Sequence, residues 1–117
     1  MIVAIQGSKG FSDYQVFLRG IGTALKELTD SENKEFFIFT AGPKNINEFV
    51  HEFMNVNERS LKAYGVKAKI VKVPPSWIET NLNKIDYFLY FSKPKETLPP
   101  IVSAADAKDI EVGVYRY

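Results

Sequence analysis

The hydrophobic positions of this chain follow two rhythms in alternation. Apolar runs of strand length stand at Ile2 to Gln6, Phe36 to Thr40 ("FFIFT"), Ala68 to Val73 ("AKIVKV"), Tyr87 to Phe91 ("YFLYF") and Ile110 to Tyr115 ("IEVGVY"). Three of them are nearly apolar throughout, which is what strands covered on both faces require. Between the first and second runs, Tyr14, Phe17, Leu18, Ile21, Leu25 and Leu28 recur at helical spacing, and Ser12 with Gln15 reads as a capping-box start. Between the second and third, Ile46, Phe49, Val50, Phe53 and Leu61 do the same, opened by Asn45 with Glu48 and stopped by Gly65. The stretch "VPPSWIETNLNK" is a proline-started excursion holding a short helix, and a last short helix begins near "PPIVSAADAK".

Strands that alternate with helices in this order predict a single α/β domain spanning residues 1–117. The expected architecture has three layers: a five-stranded, mainly parallel, doubly wound sheet with the first strand central and helices on both faces. Right-handed crossovers put a ligand beyond the carboxyl ends of the strands, where the winding reverses between the first and fourth strands. The loops concerned are "GSKGF", "AGPKN" and "SKPKE".

Composition narrows what those loops could hold. With 117 residues, 45% of them hydrophobic, the chain has enough apolar material for one core. Lys plus Arg number 15 against 14 Asp plus Glu, a balance that argues against nucleic acid or an anionic membrane as partner and makes any anion site a local one. The absence of cysteine excludes disulfides, thiol catalysis and thiolate zinc sites, and the lone His51, read as a surface residue, leaves metal sites to carboxylates only; no metal ligands are assigned. The opening "MIVAIQGSKG" is too short in apolar residues for a membrane span and lacks a basic leader, so the reading is a cytoplasmic protein of a bacterial or phage-infected cell. Trp77 and Tyr64 are expected to be partly buried.

The three loops repeat one chemistry. Gly7 and Gly10 carry no Cβ to obstruct a ligand, Ser8 offers a hydroxyl and Lys9 a mobile charge, and a helix N-terminus follows. The second loop supplies Gly42, Pro43, Lys44 and Asn45 at another helix start, and the fourth strand is followed by Ser92 and Lys93. Three lysines on loops that converge only on folding point to a phosphate. The chain lacks the G-x-G-x-x-G dinucleotide fingerprint, the phosphate loop G-x-x-x-x-G-K-[ST] and the G-x-S-x-G nucleophile elbow.

The run "GSKGFSDY" resembles the G-S-R-x-F-x-D-Y opening of small Rossmann-like proteins of the SLOG superfamily, which includes the DNA-processing protein A domain and the lonely guy phosphoribohydrolases. "FTAGPKNINEF" is similar to that group's S-G-G-A-x-G-A-D segment, and "IDYFLYFSKPKE" to its fourth strand. Ala41 and Gly42 stand in place of paired glycines, and Asn47 in place of the acidic residue. Aligned with the phosphoribohydrolase motif P-G-G-x-G-T-x-x-E, Glu48 falls on the catalytic glutamate. The resemblance implies the fold and a pocket of nucleotide type.

The leading expectation is a non-catalytic binder of a nucleotide or nucleotide-derived phosphate, with Gly7, Ser8, Lys9, Gly42 and Lys44 at the phosphate and Asp13 fixing the loop or a ribose hydroxyl. The alternatives are an N-glycosidic hydrolase using Glu48 with Asp13 as the supporting carboxylate, and a degenerate scaffold acting through protein contacts. No cofactor is expected. The aromatic set Phe11, Phe36, Tyr64, Trp77, Tyr115 and Tyr117 is read as an exposed patch that makes the protein a homo-oligomer, expected to be a dimer.

Overall fold

The computed structural model describes residues 1–29 and 35–116, without the side chains of residues 28 and 29. Tyr117 and the Leu28 side chain therefore lie outside the described residues. The strands are β1 (Ile2–Gly7), β2 (Glu35–Thr40), β3 (Lys67–Lys72), β4 (Tyr87–Ser92) and β5 (Glu111–Arg116). The helices are α1 (Tyr14–Thr29), α2 (Lys44–Ala63), α3 (Pro75–Thr80) and α4 (Pro100–Ala107), with a 3-10 turn at Leu82–Lys84. The five strands pair in the order β3-β2-β1-β4-β5, and every pairing is parallel. The expected sheet with β1 at its centre is thus present, and the winding reverses between β1 and β4.

Alternation along β1 divides the core in two, because successive side chains of a strand face opposite ways. Val3 and Ile5 join Phe36, Ile38, Leu89 and Phe91 under α1 and α2, which contribute Phe17, Ile21, Ile46, Val50 and Phe53. Ala4 joins Phe88 and Tyr90 under α3, the 3-10 turn and α4, which contribute Ile78, Leu82, Ile101, Val102 and Ala105. All of β4 is buried, as its unbroken apolar run requires. β2 is covered less evenly: Phe37 and Phe39 stay half-buried, and Phe39 stacks on Trp77 with ring centroids 4.5 Å apart.

Two helix starts differ from the capping boxes read in the sequence. The carboxylate of Asp13, not Ser12, caps α1, its Oδ1 accepting from the Val16 N–H at 3.1 Å. α2 begins at Lys44, with Pro43 as its N-cap and no side-chain cap, since proline carries no side-chain acceptor. The end of α2 follows the sequence closely. Gly65 has φ +74°, its N–H donates to Lys62 O at 3.0 Å, and the Val66 N–H donates to Leu61 O at 2.8 Å. This pair of bonds needs a left-handed residue that only glycine adopts freely.

The aromatic residues mostly lie inside. Phe11 and Phe36 are fully buried, Trp77 and Tyr115 half-buried, and Tyr64 is 77% exposed. Tyr64 departs from the expected partial burial because it sits at the C-cap of α2, beyond the apolar stripe of that helix. Phe11, Tyr14, Phe17, Phe49 and Phe91 form a ring cluster beneath the β1–α1 loop, with centroids 5.1 to 6.5 Å apart in the contacting pairs.

Candidate functional site at the carboxyl edge of the sheet

The segment after β1 is a closed turn. The Ser8 N–H donates to Phe91 O at 2.8 Å, extending the β1–β4 ladder, and the Phe11 N–H returns to Ser8 O at 3.1 Å. Lys9 and Gly10 form the exposed tip. Across from it, Ala41 N–H holds to Ile5 O at 2.9 Å, and Gly42, at φ +89°, turns the chain into the cis Gly42–Pro43 peptide and the start of α2.

Folding brings the first two loops together. Lys9 shares one hollow of about 390 Å³ with Pro43, Lys44, Asn45 and Glu48. The fourth loop adjoins them: a Cβ on Gly10 would collide with the Cε and Nζ of Lys93, so that lysine lies across the turn. Three lysines thus stand at the switch point with the N-terminus of α2, whose positive dipole end favours an anion. A hollow of about 450 Å³ at the far end of α2, lined by Met54, Leu61, Val66 and Ala68 among others, includes none of these loops.

Other candidates have structural duties. A Cβ at Gly7 would strike the Cδ1 of Ile46 and lie 2.7 Å from Phe91 O, so Gly7 admits β4 and α2 at close range rather than a ligand. Ser92 is fully buried and its hydroxyl donates to Lys93 O at 2.8 Å, shaping the fourth loop. Asp13 caps α1 and is absent from the lining of the hollow. Asn47, standing where the resembled group has an acid, accepts from the hydroxyl of the buried Thr40 at 2.5 Å and ties the end of β2 to α2.

Ser8 is 5% exposed, and its Oγ has no hydrogen-bond partner. The Oε1 of Gln6 is likewise buried and unpartnered. A buried polar atom without a partner costs about 1–3 kcal/mol, and folds retain few of them. Both flank Gly7 at the switch point, and they are the only such atoms among the described residues.

Sequence reasoning missed Gln6, Thr40 and Arg116. The Arg116 guanidinium donates to Glu96 O at 2.9 Å and fastens the loop after β4. Gln6 carried a readable signal, being the one polar side chain in "IVAIQG". The tyrosine phenols nearby are shifted. Burial, with help from Glu52, raises Tyr14, and burial raises Tyr90, with Glu96 adding and Arg116 opposing.

Among the described residues no helix is long and apolar enough to cross a membrane, and no group of three acidic or histidine side chains could hold a metal. No family model, no curated protein and no solved structure matches the chain.

Proposed function

We propose that the protein binds a phosphate-bearing small molecule of nucleotide type in the hollow between the β1–α1 and β2–α2 loops, without transforming it. The observation that carries this reading is the meeting of Lys9 with Lys44 and Asn45 around one hollow at the N-terminus of α2. Backbone N–H groups at a helix start and charged side chains bind phosphate through charge-assisted hydrogen bonds. The SLOG-like opening motif supports the same reading. Glu48 lines the hollow, but Asp13 does not, so the carboxylate pair that glycosidic cleavage calls for is not assembled there. On this reading the protein works in the cytoplasm.

Calorimetric titration with inorganic phosphate and the nucleoside 5′-monophosphates tests the proposal. Saturable binding is expected, weakened about tenfold or more by Lys9→Ala, because one charge-assisted contact is worth ~1.5–3 kcal/mol. Glu48→Gln should keep the ligand. Absence of binding by the whole panel, or turnover that Glu48→Gln abolishes, would overturn it.

A further inference from the structure

The loop after β4 is fastened from two sides. Ser92 is fully buried, and its hydroxyl donates to Lys93 O at 2.8 Å. Arg116, the register partner of Ser92 at the end of the β4–β5 ladder, reaches over the same loop: its Nη1 donates to Glu96 O at 2.9 Å and, at the longer distance of 3.4 Å, to Lys93 O. Both anchors hold the backbone of Lys93, whose side chain then runs across the β1–α1 turn. Gly10 leaves the room for it. A Cβ built there would collide with Lys93 Cε and Nζ, and the three atoms nearest to that Cβ all belong to Lys93. Gly10 does not have a positive φ, so the backbone conformation does not call for glycine; the passage of Lys93 does. Lys9, Gly10 and Lys93 are all exposed, so a solute has access to this edge. Among the described residues, none of Lys9, Lys44 and Lys93 makes an ion pair, and their charge is left for a ligand to neutralise.

We propose that Arg116 and Gly10 are positioning residues that set Lys93 over the β1–α1 turn, so that its ammonium joins Lys9 and Lys44 on a bound phosphate. This rests on the phosphate reading above. A lysine on a loose loop loses rotamer and backbone freedom when it closes on a ligand, and that loss is subtracted from the affinity. Here the loop is already held through two carbonyls by Arg116 and through one by Ser92. The far end of Lys93 is laid beside Gly10, the neighbour of Lys9 in the turn. Arg116 thus acts on the ligand through Lys93 and Gly10 acts by giving Lys93 its place.

The test is a pair of double-mutant cycles read by titration with inorganic phosphate, beside the melting temperature of each unliganded protein. Lys93→Ala should weaken phosphate about tenfold or more. Arg116→Met and Gly10→Ala should each weaken it about threefold or more in the parent background and leave it unchanged in the Lys93→Ala background, because both act through the lysine. Gly10→Ala should melt no lower than the parent, since its Cβ displaces only the end of a flexible side chain, and it carries the test alone if Arg116→Met does not fold. Four results would overturn the proposal. Parent affinity in Lys93→Ala would take Lys93 off the ligand. An Arg116→Met effect of the same size with and without Lys93 would make Arg116 a distant charge. Parent affinity in Gly10→Ala would show that Lys93 does not need its place beside the turn. No binding of phosphate by the parent would remove the underlying phosphate reading as well.

Discussion

Replacing Gly7 by alanine should destabilise the fold although it adds a single methyl group. The added Cβ would lie 2.7 Å from Phe91 O and 3.3 Å from Phe91 Cβ, and would collide with the Cδ1 of Ile46. Neither neighbour yields readily. Phe91 O is held by the Ser8 N–H at 2.8 Å within the ladder, and Ile46 is fully buried. Overpacking of this kind costs ~1–3 kcal/mol, offset in part by the ~0.4–1 kcal/mol that alanine contributes by restricting the unfolded chain. The net loss is about 1–2 kcal/mol. At 117 residues each kcal/mol corresponds to ~4 °C, so thermal unfolding followed by circular dichroism should show a melting temperature ~4–8 °C lower. Gly22→Ala is the control. Its Cβ meets nothing within 4 Å on the exposed side of α1, and it should raise stability by ~0.5–1 kcal/mol through helix propensity. A Gly7→Ala protein as stable as the parent, but deficient in ligand binding, would refute the packing role and return Gly7 to the ligand.

Asp13→Ala removes the cap of α1 and should cost about 1 kcal/mol, or ~4 °C by the same melting assay, while leaving the phosphate affinity at the parent value. Tyr87 is pushed up to about 12 by burial, with the Tyr115 hydroxyl and carboxylates adding to it. Because the raised phenol is neutral in the fold and ionises more easily when unfolded, its contribution is intact below pH ~10 and is lost as pH rises from there toward 12. Chemical denaturation across that interval should show the fall, and Tyr87→Phe should reduce it. Self-association is expected at β5, an edge strand that carries neither lysine nor proline and exposes 37% of Val114. Light scattering that returns 13.3 kDa at every concentration would count against a dimer.

The elements and their order were legible because periodicity and burial agree. "YFLYF" admits only a strand covered on both sides, and the stripe from Ile46 to Leu61 admits only a helix with one apolar face. Helix starts were less legible. Ser12 and Asp13 are adjacent and both suited to capping, and which one caps depends on where the chain leaves the turn closed by Phe11 and Ser8. The site was legible as a set of loops, since Lys9, Lys44, Asn45 and Glu48 do meet. What each glycine is for was not. Gly7 and Gly10 look alike in "GSKG", yet one faces Ile46 and Phe91 and the other the side chain of Lys93. Those neighbours come from other elements, and nothing within the loop encodes them. Gln6 is hidden for the opposite reason: it sits within an apolar strand, and only the missing partner of its carboxamide oxygen makes it conspicuous.

The most direct measurement is a heteronuclear NMR titration of the 13.3 kDa protein with inorganic phosphate and then with a nucleoside monophosphate. A phosphate cradle predicts saturable shifts of the Lys9, Gly10, Lys44 and Asn45 amides with either ligand, and little change at Met54, Leu61 or Val66 around the distant hollow. Saturable shifts confined to that distant hollow, or no saturable shifts at the Lys9 and Lys44 loops, would contradict it.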